Sequence, residues 1–113
     1  MRRLLLIAAV MLTCAIGCTD AERHAYETKC DAPLRTRVEA MLQAGTTDKV
    51  DVLGKLNGPL DAERRRLLEA AGAEIGTVTE ALFTARMRPA DVAHVAALDF
   101  VTSLQLSQVR DTQ

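Results

Sequence analysis

Tryptophan is absent from this 113-residue chain, and aromatic residues as a whole are scarce, with one tyrosine and two phenylalanines. A module that reads RNA by stacking bases on aromatic platforms cannot be assembled from so few. Cysteine is nearly as rare: three occur, at positions 14, 18 and 30, and no CxxC pair is present. A disulfide framework and a zinc site are therefore not expected, and no other metal or cofactor is suggested. Basic charge is not in excess either, since 14 Lys and Arg face 15 Asp and Glu, which gives no reason to expect nucleic acid as a partner. Nor is there an apolar run long enough to span a bilayer comfortably. The longest, "LLLIAAVMLTCAIG", has about 14 residues, against the roughly 20 that a membrane helix needs. What remains, 49% hydrophobic and 26% charged residues, suits one small globular domain.

That apolar run follows Arg2 and Arg3, the order of a secretory signal, so residues 1–17 read as a targeting segment outside the fold. "AIGC", Ala15 to Cys18, resembles the lipobox of bacterial lipoproteins, in which the cysteine thiol is acylated and becomes the new N-terminus. The resemblance implies lipidation of Cys18 by palmitate-type chains and a place in the bacterial cell envelope, anchored to a membrane. Each buried CH₂ of such a chain contributes roughly 0.8 kcal/mol to membrane binding. An ordinary signal cut near Gly17 or Cys18 is the alternative and implies a secreted protein. Losing Arg2 and Arg3 takes the net charge from −1 to −3. Cys30 is then left without an intramolecular partner, so burial is its plainer expectation and pairing between chains the alternative.

Residues 18–32 are polar with no sustained apolar period and read as a tether, with room for a frayed helical turn. "APLRTRVEAMLQAG" has Leu34, Val38, Met41 and Leu42 at helical spacing and stops at Gly45, which predicts a short helix over residues 33–45. In "KVDVLGKL", Val50, Val52, Gly54 and Leu56 alternate with Asp51, Leu53 and Lys55, the period of a half-buried strand. After a turn at Asn57, Gly58 and Pro59, Asp61 is a good N-cap for a helix that carries Leu60, Leu67, Leu68 and Ala71 on one face and stops at Gly72. Arg64, Arg65 and Arg66 lie in this helix. Successive helical residues point about 100° apart, so a solvated face is expected rather than a basic patch.

"AEIGTVT" and "ALFTARMR" read as two strands joined by a tight connection at Thr79 to Ala81, with Phe83, Ala85 and Met87 on one face of the second. Pro89 suits the first turn of a helix "PADVAHVAAL", striped by Val92, Val95 and Ala96, and "FVTSLQL" reads as a last strand before the polar tail at 107–113. Strand, helix, strand, strand, helix, strand over residues 49–106 predicts an α+β, ferredoxin-like βαββαβ domain. Such a domain has a four-stranded antiparallel sheet with two helices on one face, here preceded by the short helix. One sheet face is buried and the other open, and some 60 residues make a marginal core, so the leading helix or a partner is needed over the open face.

Fold alone decides no function. A metal carrier on this fold would want a CxxC pair near the first strand, where "LGKLNGPL" has none. An acylphosphatase-like enzyme would need an arginine with its glycine-rich anion loop; Asn57 and Gly58 are present without it. His24 and His94 have no evident nucleophile or carboxylate around them, and His94, at the edge of a helix stripe, reads as a surface or half-buried histidine. No catalytic residue is assigned, and the chain is expected not to be an enzyme.

The alternating first strand, "LLEAAGAEI" joining helix to strand, "FTARM" as the third strand, and "PADVAHVAALDFVTSLQL" leading into the last strand resemble the propeptide domains of subtilisin-like proteases and the stand-alone inhibitors related to them. The resemblance covers residues 49–106, about half the chain. It implies that the open sheet face packs on a protease while the C-terminal tail enters the substrate cleft as an added strand. The partner-binding residues it implies are Leu53, Lys55, Leu82, Thr84 and Arg86 on the face, with Ser107, Gln108, Val109 and Arg110 in the tail. The alternative for Leu53 and Leu82 is a face covered by the helix of Leu34 to Leu42. Two features depart from the family. No protease domain follows Gln113, so action in trans is expected, and the tail has only Val109 to fill an apolar subsite. The expected function is binding of a subtilisin-like protease as inhibitor or folding chaperone; the alternative is a lipoprotein interaction module with a non-protease partner.

Overall fold

A computed structural model describes residues 19–107. Residues 1–17, read above as a targeting segment, Cys18 and the expected tail residues Gln108, Val109 and Arg110 lie outside them. The first element corrects the reading of residues 18–32 as a tether: Asp20–Lys29 is a helix, α1. A capping box starts it. The Thr19 hydroxyl accepts from the Glu22 N–H at 3.1 Å, and the Glu22 carboxylate accepts from the Thr19 N–H at 3.4 Å. With no broad apolar stripe of its own, α1 depends on docking. Ala25 is buried and Tyr26 partly so, both against the common core, and the Lys29 ammonium donates to the Leu98 carbonyl at 3.1 Å.

Helix α2 spans Ala32–Ala44 and ends at Gly45 as its sequence predicts. The Asp31 carboxylate caps it by accepting from the Leu34 N–H at 2.9 Å. Strand β1 (Val50–Leu56) follows, then α3 (Ala62–Ala70), β2 (Glu74–Thr79) and β3 (Leu82–Met87). The segment after Pro89 is less regular than its stripe predicts: a 3-10 turn at Pro89–Asp91 leads into a five-residue helix α4 (Val92–Ala96). Strand β4, Val101–Leu106, completes the chain described.

The sheet is four-stranded with order β2-β3-β1-β4, and each neighbouring pair is antiparallel. This order is compatible with the split βαβ arrangement. The four α-helices among the described residues exceed the two that the βαββαβ reading places on the sheet, because α1 and α2 join the same layer. Leu34 and Val38 of α2, Leu68 of α3 and Val95 of α4 belong to one buried cluster with Val52, Phe83, Ala85, Met87 and Leu104 of the sheet. Fully burying each leucine of that cluster contributes roughly 1.5–3 kcal/mol.

Two glycines are demanded by this packing. Gly72, after α3, has φ +114°, and a Cβ there would lie 2.5 Å from the Asp91 carboxylate, so a side chain is excluded by backbone and space alike. Gly54 lies opposite Phe83 in the β1–β3 register. A Cβ on Gly54 would come within 2.3 Å of the Phe83 ring, so the ring, 1% exposed, fills the volume the glycine leaves empty.

Candidate functional site

The strand register assembles the face that points away from the helices. Val50, Val52 and Leu56 of β1 and Phe83, Ala85 and Met87 of β3 are buried, so the residues between them in each strand face outward. Leu53 is opposite Thr84, and Lys55 is opposite Leu82. On the other side of β1, Leu53 is opposite Gln105 and Lys55 opposite Ser103. The five face residues expected from the sequence, Leu53, Lys55, Leu82, Thr84 and Arg86, are thereby brought onto adjacent strands. Helix α2 does not cover them. Its buried residues pack into the cluster on the opposite face, and Leu82 stays 42% exposed, which overturns the covered-face alternative.

Two sub-regions can be distinguished. Leu53 and Leu82 are diagonal neighbours, close enough for their side chains to make one apolar surface. With Thr77, Thr79, Phe83 and Thr84 they line a shallow hollow of about 230 Å³. The hollow suits an inserted apolar side chain ringed by hydroxyls. Further along, Asp51, Arg86 and Glu74 form a cross-strand row. Arg86 Nε lies 3.2 Å from Asp51 Oδ1, and the Lys49 ammonium is bound to Glu74. That ammonium, by hydrogen bond and then by charge, holds the Glu74 carboxyl below its ordinary value. Both pairs are substantially exposed, so each contributes little and is readily exchanged for a partner's charge.

Ser107 continues β4 along β1, its N–H donating to the Asp51 carbonyl at 3.0 Å. Ser107 is thereby held beside the charged row, and the remaining expected contacts of the tail, Gln108, Val109 and Arg110, lie outside the described residues. Asp51, Glu74, Thr77 and Thr79 share the face and were not among the residues chosen from sequence. Asp51 reads there as an ordinary solvated charge. The β2 residues were hidden by a register shift between Ile75 and Val78, which interrupts the simple alternation. At that irregularity the Thr84 hydroxyl accepts from the Thr77 N–H at 2.9 Å, so Thr84 also holds the strand edge in place.

His94 needs a correction, because it does have a carboxylate partner. Its Nδ1–H donates to Glu22 Oε2 at 2.9 Å, the acceptor being supplied by α1, the segment read as a tether. That bond, ahead of a second from the Thr19 N–H, holds the Glu22 carboxyl below its ordinary value against the opposing effect of burial. The pair is accessible to solvent, and its geometry is that of a clasp between α1 and α4. The arginine triplet is also more varied than a solvated face. Arg65 pairs with Glu69 at 3.3 Å and Arg66 with Glu63 at 2.6 Å, while Arg64 is half-buried over the Phe100 ring, 5.1 Å from its centroid.

Cys30 is buried and free, and its thiol is pushed up to about 12, first by burial and then by the charge of Asp31. A thiol so far from ionisation is a poor nucleophile at neutral pH. Among the described residues no polar or charged residue is buried, no group of three or more His, Cys, Asp and Glu is placed to hold a metal, and no helix is long and apolar enough to cross a membrane. No family model, curated protein or solved structure matches the chain.

Proposed function

We propose that the chain is a non-catalytic, ferredoxin-like domain that binds a subtilisin-like protease as inhibitor or folding chaperone. It would act from the bacterial cell envelope, anchored through a lipidated Cys18, or as a secreted protein if Cys18 is not modified. The β2-β3-β1-β4 order with antiparallel neighbours supports the fold name. The functional reading is carried by one observation. Leu53, Lys55, Leu82, Thr84 and Arg86 lie together on a sheet face that none of the described helices covers, and Ser107, where the expected tail begins, is bonded to Asp51 beside it.

In this reading the hollow at Leu53 and Leu82 receives an apolar side chain of the protease. Lys55 and Arg86 meet acidic groups around it, and Arg86 gives up its weak pair with Asp51. Ser107, Gln108, Val109 and Arg110 then add to the substrate cleft as a strand, with main-chain hydrogen bonds providing most of the tail's affinity. A stable interface of this kind buries about 800 Å² on each partner, and in this reading face and tail contribute to it together.

The test is inhibition, and refolding assistance, against a panel of subtilisin-like proteases with the full chain at micromolar concentration. Deleting Ser107 to Gln113 should abolish inhibition while leaving the circular dichroism spectrum unchanged. No effect of the intact chain on any protease sinks the reading. A second reading, an interaction module with a non-protease partner, is favoured by a separate groove of about 400 Å³ on the helical side. Arg23, Tyr26, Val38, Leu42, Pro89 and Ala93 are among the residues that line it. Loss of partner capture on substituting Leu42, with face variants unaffected, would select that reading.

A further inference from the structure

The two edges of the sheet are finished differently. Along β4 the outer edge is occupied by the junction between α1 and α2. The Asp31 N–H donates to the Leu104 carbonyl at 3.1 Å, Cys30 makes a parallel bridge to Leu104, and the Leu106 N–H donates to the Asp31 carboxylate at 3.4 Å. Strand β2 has no such cover: among the described residues it pairs only with β3, and all of its residues except half-buried Ile75 are exposed.

An exposed edge is ordinarily protected by lysine, proline, an unpaired charge or a bulge. Strand β2, "EIGTVT", has neither lysine nor proline, and its single charge, Glu74, is neutralised by Lys49. The register shift is the remaining device, and here it has a second effect. Ile75 is opposite Ala85 and Val78 is opposite Phe83. Both partners point inward, so Ile75 and Val78 come to the same face although they are three residues apart.

That spacing makes the edge complementary to itself. In an antiparallel pairing with a two-fold axis between Gly76 and Thr77, Ile75 meets Val78 of the second copy and Val78 meets Ile75. The apolar pairs fall on the helical side of both sheets. Glu74 then lies opposite Thr79, and no like charges face each other. The register centred on Thr77 is worse, because it sets Glu74 against Glu80 of the other copy. We propose that β2 is a self-association edge, through which two copies pair antiparallel in the first of these registers into one continuous eight-stranded sheet. The axis is perpendicular to the sheet, so the two open faces lie side by side on one surface. Val78, 38% exposed in the single chain, is covered by the pairing.

The measurement is sedimentation equilibrium of the full chain in detergent solution from about 1 to 100 μM, the range in which weak and moderate dimers are resolved. Hydrogen exchange of the β2 amides is followed at both ends of that range. A reversible dimer is expected, with β2 amides more protected at high concentration. Val78→Lys should weaken it roughly tenfold or more, and Leu82→Lys on the open face should leave it unchanged. Because Thr79 faces Glu74 of the second copy, Thr79→Glu should weaken the dimer more than Thr79→Lys. This exposed position also keeps the test decisive if Val78→Lys fails to fold. A chain that stays monomeric, as it would if the edge takes only a partner's extended peptide, overturns the proposal. So does a dimer broken by Leu82→Lys and not by Val78→Lys, or equal effects of the two Thr79 variants.

Discussion

Replacing Gly54 with alanine adds one methyl group to β1 at the point where the Phe83 ring crosses the strand. The new Cβ would sit 2.3 Å from two ring carbons, well inside the ~3.5–4.0 Å at which carbon atoms make contact. Because the ring is buried, it cannot swing into solvent; it must tilt within the core or push β1 and β3 apart. Overpacking of this kind costs about 1–3 kcal/mol, offset by about 0.5–1 kcal/mol because glycine is the poorer strand residue and freer in the unfolded chain. The net expectation is a loss of about 1–2 kcal/mol, which lowers Tm by roughly 4–16 °C for a domain of this size. Thermal and urea unfolding of the wild type, Gly54→Ala, Phe83→Leu and the double variant form a cycle. Phe83→Leu should be destabilising by itself, through the cavity it leaves, yet in the double variant the shortened side chain relieves the clash. The double variant should therefore be more stable than the sum of single effects predicts by about 1 kcal/mol. Additivity within about 0.5 kcal/mol would refute the steric argument. Leu53 and Lys55 flank Gly54, so the same variant should also weaken any partner that binds the open face.

Asp31→Ala removes both the α2 cap and the side-chain acceptor for Leu106 N–H, so it should cost about 1–3 kcal/mol in urea unfolding, more than a cap alone. Glu22 is held below its ordinary carboxyl value, so its folded form binds fewer protons than the unfolded chain in the acidic range. The stability it contributes is full above its unfolded value, about 4.5, and is lost as pH falls through the folded one. Part of the drop in Tm on acidification should accordingly be missing in Glu22→Gln, and identical pH profiles would exclude the clasp to His94. Cys30, buried with its thiol pushed up to about 12, should resist iodoacetamide in the native chain at pH 8 and react promptly in urea. Mass mapping of its peptide reads this, and rapid native labelling would contradict the burial.

Element types were legible in the amino-acid order because they rest on neighbours within a few residues. The alternation of β1 and β3, the Asp61 cap, the glycine stops and the tight connection at Glu80, which has φ +54°, are local features of this sort. From the alternation alone Leu53, Lys55, Leu82, Thr84 and Arg86 could be placed on an outward face. Their proximity to one another comes from the β1–β3 register. Features set by residues far apart in the chain were decided only by the tertiary structure. Residues 20–29 lack an apolar stripe, and α1 is placed by Lys29 on Leu98, Glu22 on His94 and Ala25 in the core. Helix α2 goes to the helical face because Leu34 and Val38 find the inward side chains of β1 and β4 there. The facing of β2 depends on a register shift against β3, and the cover on β4 depends on Asp31 reaching Leu106. Period and capping are read along the chain; which face is left open and which edge is bare depend on contacts across it.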